Sequence, residues 1–363
     1  MKIYSAVSIF IALSSAVSMA STQKCLKIGL LGEFEKKPGS FSQPFGKEIL
    51  RGSELAKKAS STCIEFEQID IANSIANIDS LIRLGSARGT KIFLGLGNSE
   101  AALAARTAIN ETKSLLITPT ASSDALTVQP SRTILMFPTN SKIASRIVQE
   151  LKKRKVKSVV SIFSAHNAYS ENMNKVFKEE FKKVGGEVFE FGVRSGRIDL
   201  RPIIADIKSH LKGYVFLPVF ELDDAKIIAE LSRSEMKPTY IGTDSWGTYS
   251  TTIKNLLKNS SVTALVPQIY DPGARFERNE QFVKAYKDNF SEPPTDLSAF
   301  SYDGVNLAIE IQESCPLLDQ DLELCLSKLK SFQTTMGESK LSKDLTSNPK
   351  TSLKFINLMS AHE

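Results

Sequence analysis

Short β-rich runs alternate with amphipathic segments along most of the chain, and this alternation constrains the fold more than any other feature. In the first half, the predicted strands are Leu26–Leu31, Ile64–Ile71, Lys91–Leu96 and Ser114–Thr118, and the predicted helices are Phe45–Ser60, Ile75–Arg88 and Ser99–Asn110. The first helix places Phe45, Ile49 and Leu55 on one face, as in a helix that covers a sheet. Strands that alternate with helices predict a parallel sheet with both faces covered.

The same order of elements occurs a second time. The predicted strands are Ser158–Phe163, Glu187–Gly192, Tyr214–Pro218 and Thr239–Gly242, and the predicted helices lie near Tyr169–Val184, Ile198–Leu211 and Leu222–Ser234. The repeat is one of architecture and not of sequence. It predicts an α/β fold of two Rossmann-like, doubly wound lobes.

The carboxyl-terminal tail does not start a third lobe. We predict helices at Phe276–Asn289 and Asp303–Ser314, a short helical segment up to Phe332, and strands at Ser339–Leu341 and Ser352–Leu358. A tail of this size is too short to build its own core, so we expect it to pack back onto the two lobes.

The amino terminus has the pattern of a secretory signal. Lys2 precedes an apolar run of small residues that ends at Ser18-Met19-Ala20, which predicts cleavage after Ala20. A transmembrane helix is the alternative, but the run from Ile3 to Ala20 lies at the lower length limit for a span. Removing about 20 of the 363 residues still leaves enough chain for two lobes of ordinary domain size.

Export would permit disulfides. The four cysteines are Cys25, Cys63, Cys315 and Cys325, and four cysteines allow three connectivities. Cys25 and Cys63 open two predicted strands that, side by side and parallel, would bring the pair within disulfide reach. Because Cys315 and Cys325 are close in sequence, we expect the pairs Cys25–Cys63 and Cys315–Cys325. The chain has no CxxC motif and no Cys/His cluster, which argues against zinc.

Composition excludes several classes of function. With 42% hydrophobic and 24% charged residues, the chain is typical of a soluble globular protein. The net charge of +6 is spread along the chain, and the run Lys152-Lys153-Arg154-Lys155 lacks the aromatic residues that accompany nucleic-acid binding. The segment Gly242–Gly247 is not a nucleophile elbow, and there are three histidines in all. We therefore expect no catalytic residue, no cofactor, no metal and no nucleic-acid partner.

Three polar segments follow predicted strands, where open α/β sheets bind ligands. Gly95–Glu100 begins like a dinucleotide fingerprint, but Glu100 replaces the third glycine, so a small anion near Ser99 is favoured over a nucleotide. A plain serine cap is the alternative. The hydroxyls of Thr118–Thr127 suit a carboxylate or merely cap a turn. Asp244 suits an ammonium group or is a solvated loop residue.

Seven segments, in this order and spacing, carry a resemblance to a known family. They are Lys27-Ile28-Gly29-Leu30-Leu31-Gly32, Phe45-Gly46-Lys47-Glu48-Ile49, Leu94-Gly95 with Ser99, Pro119-Thr120-Ala121-Ser122-Ser123, Asn167-Ala168-Tyr169-Ser170, Tyr240-Ile241-Gly242-Thr243-Asp244 and Tyr302-Asp303-Gly304-Val305. As a set, they resemble the leucine/isoleucine/valine-binding family of type I periplasmic binding proteins. The resemblance extends over essentially the whole mature chain.

The resemblance implies two lobes joined by a three-crossover hinge that close on a small molecule. We expect the first lobe to comprise residues 21–138 and 269–338, and the second to comprise residues 139–268 and 339–363. It further implies roles for individual residues. Ser99 and the pair Ala121-Ser122 would hold a carboxylate, Tyr169 would line the cleft, Asp244 would take an ammonium, and Phe45 would cover the ligand side chain.

The chain departs from the family pattern at several places near this site. Phe220 stands where the family often has a tyrosine, and Asp244 is shorter than the frequent glutamate. Glu100 adds negative charge beside Ser99, and His166 lies close to Tyr169 in sequence. These departures leave the ligand class open among amino acids, amides, urea-like compounds and other polar metabolites.

The resemblance also implies partners and a location. We expect a monomer in the periplasm that delivers a small-molecule ligand, most simply an amino acid, to an ABC transporter permease in the inner membrane. The alternative is a periplasmic sensor of amides or other metabolites that reports to a membrane receptor. An enzyme of Rossmann type is disfavoured, because the nucleotide fingerprint is incomplete.

Overall fold

Runs of buried aliphatic residues build the sheets on which the site depends. The computed structural model describes residues 25–34, 45–71, 74–246, 263–315, 322–329, 331–343, 345–349 and 354–358. The predicted signal segment, residues 1–20, lies outside them. Within the described ranges, no helix combines the length and the apolar composition needed to cross a membrane.

The first lobe is built on a parallel sheet of five strands in the order β2-β1-β3-β4-β5. Its strands are β1 (Leu26–Gly32), β2 (Ile64–Asp70), β3 (Ile92–Gly95), β4 (Leu115–Thr118) and β5 (Thr133–Leu135), and its helices are α1 (Phe45–Ala59), α2 (Ile78–Ala87) and α3 (Ser99–Glu111). Every residue of β3, β4 and β5 is buried, as expected for a parallel sheet covered on both faces. The short β5 was missed by the sequence analysis.

The second lobe repeats this topology. Its elements are α4 (Asn140–Lys153), β6 (Ser158–Ala165), α5 (Ala168–Lys183), β7 (Glu187–Arg194), α6 (Ile204–His210), β8 (Tyr214–Phe216), α7 (Glu221–Arg233), β9 (Thr239–Ile241) and β10 (Thr263–Gln268). The strands β7-β6-β8-β9-β10 are parallel and in the same relative order as the first sheet. A last strand, β14 (Lys354–Leu358), pairs antiparallel with β10. The predicted doubly wound α/β lobes are thereby confirmed, although β10 was not foreseen and α6 starts six residues later than expected.

The tail packs on the lobes, as predicted, but its elements differ from the expected ones. Its helices are α8 (Glu277–Phe290), α9 (Asp296–Ser314) and α10 (Leu322–Leu326), and a small antiparallel sheet comprises β11 (Phe332–Thr334), β12 (Gly337–Leu341) and β13 (Ser347–Pro349). Helix α9 begins seven residues before the predicted start, because Thr295 and Ser298 form a reciprocal capping box. Phe332 begins a strand and does not end a helix.

Helix α9 lies tightly against α1, which fixes the tail to the first lobe. A Cβ atom on Gly52 would lie 2.1 Å from the backbone oxygen of Ser298, so only glycine permits this approach. Tyr286 in α8 adds a 2.6 Å hydrogen bond from its hydroxyl to Glu48 of α1. These contacts hold the start of α9 at one edge of the first sheet.

In the described part of the chain, the passages between lobes lie after β5, after β10 and between β13 and β14. The proposed lobe boundaries, 21–138 with 269–338 and 139–268 with 339–363, stay a prediction at the level of single residues.

The cysteines lie at the amino-terminal edge of the first sheet and at the end of α9. Cys25 and Cys63 have their Cα atoms 4.7 Å apart, and Cys315 and Cys325 have theirs 5.7 Å apart. Both separations are within the range of disulfides. The expected pairs are therefore the pairs that the structure brings together.

Candidate functional site

The strand order places the ends of particular strands together in each lobe. In a sheet of order 2-1-3-4-5, the strands that come first and third in sequence are neighbours. The chain continues from them to helices on opposite faces of the sheet, so a crevice opens between their carboxyl ends. In the first lobe these strands are β1 and β3, which lead to Phe45 and Ser99. In the second lobe they are β6 and β8, which lead to Tyr169 and Phe220. Four predicted site residues thus flank the two crevices.

In the first lobe, Ser99 ties two loops together. Its hydroxyl oxygen accepts the backbone N–H of Ser122 at 3.3 Å and that of Ser123 at 3.1 Å. Ser99, Ala121 and Ser122 are all at least 98% buried. The hydroxyl proton of Ser99 is not used in these bonds, so the side chain keeps a donor. The predicted anion-binding residues therefore form one compact group.

Ser99 is not the cap of its helix. Asn98 takes that role, because its side chain accepts the backbone N–H of Ala101 at 2.8 Å. The alternative interpretation of Ser99 as a plain cap is therefore wrong. Glu100 is exposed, so the charge expected beside Ser99 is largely solvated.

Phe45 and Gly97 line the same edge of the first lobe. A Cβ atom on Gly97 would lie 3.7 Å from Phe45 Cδ1, 3.3 Å from Leu297 Cδ1 and 2.8 Å from the hydroxyl of Thr120. The absence of a side chain at Gly97 thus lets these three residues approach the backbone that leads into Ser99. Phe45 is only partly buried, so its ring retains an open side.

In the second lobe, Tyr169 and Phe220 form an aromatic pair. Their ring centroids are 5.3 Å apart with an interplanar angle of 30°. Tyr169 is 5% exposed, whereas Phe220 is 39% exposed, which is unusual for a phenylalanine. The pair presents an apolar face beside the polar groups of this lobe.

The Tyr169 hydroxyl connects this pair to a buried polar network. It lies 2.7 Å from Asp244 Oδ1 and 2.7 Å from Thr243 Oγ1. Because a phenol has one proton and a carboxylate only accepts, that proton goes to Asp244. Ser245 continues the network, 2.9 Å from Thr243 Oγ1 and donating to the carbonyl of Val219 at 2.8 Å.

Burial changes the acidity of the groups in this network. Desolvation raises the pKa of Asp244 to about 6, against the lowering effect of its hydrogen bond from Tyr169. Desolvation and the charge of Asp244 raise the pKa of Tyr169 well above its usual value. Asp244 is only partly exposed, and its carboxylate is charged at neutral pH, which suits a cationic partner.

The two lobes meet beside the site. The backbone N–H of Asp124 donates to Asn172 Oδ1 at 3.3 Å, and Asn172 lies one turn of α5 after Tyr169. The Asp124 carboxylate accepts the backbone N–H of Ser141 at 3.1 Å and also bonds its hydroxyl, at the start of α4. The serine loop of the first lobe is thereby linked to the second.

Within each lobe, the structure brings predicted site residues into contact, and it adds others. His166 is exposed, and its backbone N–H donates to Glu171 Oε1. Thr243 and Asp296 were not singled out. Thr243 directly precedes Asp244 and is fully buried. Asp296 falls in the capping sequence Thr295-Asp296-Leu297-Ser298, whose pattern would have revealed the earlier helix start.

Among the described residues, no group of three or more His, Cys, Asp or Glu side chains lies close enough to hold a metal. The groups present suit a small polar molecule. The first lobe has a hydroxyl and a buried serine loop, and the second has a carboxylate beside a pair of aromatic rings.

Solved structures with the same fold come from several bacteria. A leucine-binding protein from Thermotoga maritima superposes with a TM-score of 0.78 at 16% identity, covering 93% of this chain and 99% of that one. A branched-chain amino acid transporter substrate-binding protein from Streptococcus pneumoniae, in complex with isoleucine, gives 0.77 at 18%, covering 92% and 100%. A solute-binding protein of an ABC transporter from R. palustris, in complex with benzoate, gives 0.73 at 19%, covering 93% and 96%.

At these identities, the likeness shows the fold alone. No curated protein matches the sequence. The sequence does match the periplasmic binding protein family over residues 26–340, which is most of its length. The chain therefore belongs to the periplasmic binding protein family, whose members bind solutes and are not enzymes.

Proposed function

We propose that the chain is an exported substrate-binding protein that captures an amino acid between its lobes and delivers it to an ABC permease of the inner membrane. The proposal rests mainly on the Asp244 carboxylate, which is only partly exposed and accepts a hydrogen bond from Tyr169. It lies in the second lobe, whereas the Ser99–Ser122 group lies in the first. A carboxylate on one side and free hydroxyl donors on the other match the two charges of an amino acid. Residues 1–20 would be the export signal.

The ligand would bind the first lobe before the second closes. Its carboxylate would meet the Ser99 hydroxyl and the Ala121-Ser122 loop, and its ammonium would meet Asp244 after closure. Phe45 and Phe220 would enclose the side chain, and Tyr169 would hold the Asp244 carboxylate in position. Closure excludes water, which strengthens the charge-assisted hydrogen bonds at both ends. The ligand favours the closed form only to the extent that it binds that form more tightly.

An aromatic acid is a weaker candidate. A benzoate-like ligand would suit the Tyr169–Phe220 pair, and relatives of this fold bind such acids. It carries no cation, however, so Asp244 would be enclosed beside the ligand without a counter-charge. The same argument disfavours neutral amides, which are the ligands of the alternative function, a periplasmic sensor.

A ligand screen tests the proposal. Native mass spectrometry of the purified protein, followed by thermal-shift measurements with amino acids, amides and benzoates, should identify an amino acid that raises Tm by mass action. Titration calorimetry should then give one site per chain. A screen in which only amides or aromatic acids raise Tm would overturn the amino-acid assignment.

A variant pair locates the binding. Asp244→Asn should weaken the identified amino acid by about 30-fold or more, because a buried ammonium–carboxylate contact contributes about 2–5 kcal/mol. The control is Asp206→Asn, since Asp206 is also in the second lobe but has a side chain 63% exposed and lies in α6. Equal affinities of the two variants would contradict the role of Asp244.

A further inference from the structure

A second carboxylate lies on the first-lobe side of the cleft. Asp296 is the first residue of α9, and the next residue, Leu297, reaches the position that a Cβ of Gly97 would occupy to within 3.3 Å. Phe45 approaches the same point to 3.7 Å. Asp296 therefore belongs to the edge of the first lobe that the ligand side chain would face.

The carboxyl group of Asp296 is buried, and few groups of the protein offset its negative charge. Its residue is 7% exposed, and Oδ1 accepts the backbone N–H of Leu297 at 2.9 Å. Within the described residues, neither Asp296 nor Asp244 forms an ion pair with Lys or Arg. Burial raises the pKa of Asp296 to about 7, and the charges of Asp244 and Glu48 contribute to that rise. The charge of Asp244, in the second lobe, is thus among the charges that act on Asp296 at the start of α9.

A capping role does not explain Asp296. An aspartate in the first turn of a helix is favourable when it is charged and exposed. Here, the start of α9 is already capped by Thr295 and Ser298, and Asp296 is buried. Enclosing a charge that the helix does not need costs free energy unless a cation arrives to pair with it.

An ordinary amino acid would leave this cost in place. Its single ammonium pairs with Asp244, and its apolar side chain would then lie against the unpaired Asp296. A side chain that ends in a cation pairs with Asp296 instead, while its methylene groups lie along Phe45 and Leu297, as long basic side chains do on apolar surfaces.

We propose that the cleft selects an amino acid whose side chain carries a second cation, such as lysine, ornithine or arginine, with its α-ammonium at Asp244 and its side-chain cation at Asp296. This inference rests on the proposed function and specifies the ligand class of the same site. The shared chemistry is two cationic groups joined by an alkyl chain, which a diamine also possesses.

Calorimetry with three matched ligands tests the inference. Lysine carries both cations and the carboxylate, norleucine lacks the terminal cation, and cadaverine lacks the carboxylate. At pH 7.5, lysine should bind the wild-type protein roughly tenfold to 100-fold more tightly than norleucine, as expected for a hydrogen bond between charged groups. Norleucine binding as tightly as lysine would overturn the inference while leaving the amino-acid function intact.

The variant Asp296→Asn distinguishes recognition of the ligand side chain from a structural role of Asp296. It keeps the acceptor for Leu297 and removes a buried charge, so the variant should fold. It should lower the affinity for lysine by the same roughly tenfold to 100-fold factor and change the affinity for norleucine by less than about threefold. The matched control is Glu310→Gln, a partly buried acid on α9 about 21 Å along the helix from Asp296, which should change neither ligand. A parallel loss for lysine and norleucine in Asp296→Asn would refute the pairing.

The remaining outcomes distinguish this inference from the proposed function. Binding of cadaverine as tight as that of lysine would retain the two-cation cleft and reject the amino acid as its ligand. Failure of lysine, norleucine and leucine all to bind would reject the amino-acid function itself, and with it the inference.

Discussion

Ser99 in the first lobe and Phe220 in the second lie after equivalent strands of equivalent sheets, yet their surroundings differ in kind. Around Ser99, neutral hydroxyls and backbone amides satisfy one another within the lobe. Beside Phe220, the network ends in the Asp244 carboxylate, whose charge is not balanced within the described part of the chain. One topology thus supports a serine loop that is held together within its own lobe and a carboxylate whose charge a ligand can balance.

The difference indicates how the two halves divide their work. The Ser99 loop, whose backbone amides are bonded within the first lobe, can hold its shape with or without ligand. The Asp244 carboxylate of the second lobe, in contrast, gains when a cation arrives. We infer that the Ser99 loop provides shape and that Asp244 provides an electrostatic gain that favours closure.

The largest expected difference between Ser99 and Asp244 is in the stability of the ligand-free protein. Ser99→Ala removes the acceptor of two buried amides, so it should lower the free energy of unfolding by about 2–4 kcal/mol. Asp244→Asn should instead raise the free energy of unfolding. The pKa of Asp244 is raised on folding, so its charged form costs stability at pH 7.5, by up to about 3 kcal/mol. Denaturant unfolding of the two ligand-free variants checks both.

Their control is Ser209→Ala, an exposed serine of the second lobe that donates to a backbone carbonyl at 2.8 Å and should change stability little. Two destabilised site variants would mean that Asp244 is a structural residue like Ser99. Two neutral ones would mean that neither half is organised as described.

Much of this arrangement follows from the sequence. Continuous apolar runs such as Ile92-Phe93-Leu94 predict buried strands, and the polar segments after them are predicted at the carboxyl ends of those strands. The doubled pattern of strands and helices predicted the two lobes, and sheet order then brought Phe45, Ser99, Tyr169 and Phe220 to the crevices.

Other features were not predictable from local sequence. The start of α9 is an exception, because the capping sequence Thr295-Asp296-Leu297-Ser298 would have revealed it. The strand β5 has three residues, which are too few for periodicity to identify it, and the six-residue β10 was missed as well. The position of Asp296 at the start of α9 depends on the packing of α9 on α1 through Gly52, whose contact with Ser298 joins residues about 250 positions apart in sequence.

A pH series provides the next, smaller effect. An ammonium ligand binds the charged form of Asp244, whose pKa is about 6. Affinity should therefore be constant above pH 7 and fall by up to about tenfold per pH unit below 6. The sign is fixed by the pKa: protons compete with the ligand for the carboxylate as the pH falls. For a ligand that also pairs with Asp296, the fall should begin nearer pH 7.

Calorimetry in buffers of different ionisation enthalpy measures the same effect directly, as protons released on binding. Asp244→Asn should remove the release that norleucine causes. A flat profile between pH 5 and 7.5 would show that the second lobe does not contribute charge, and the comparison between the halves would fail.

The smallest expected effect concerns Tyr169, which joins the aromatic pair to the charge. Tyr169→Phe keeps the ring stacked on Phe220 and removes the donor to Asp244 Oδ1. That hydrogen bond lowers the pKa of Asp244, so its loss should move the midpoint of the pH profile upward. At pH 7.5, affinity should fall by about threefold to tenfold, as for one ordinary hydrogen bond. Tyr214→Phe, at the start of β8 and away from the cleft, is the control. A weaker affinity with an unmoved midpoint would assign Tyr169 to ligand contact alone, whereas the upward shift would show that this lobe tunes its charge through the same tyrosine that lines the cleft.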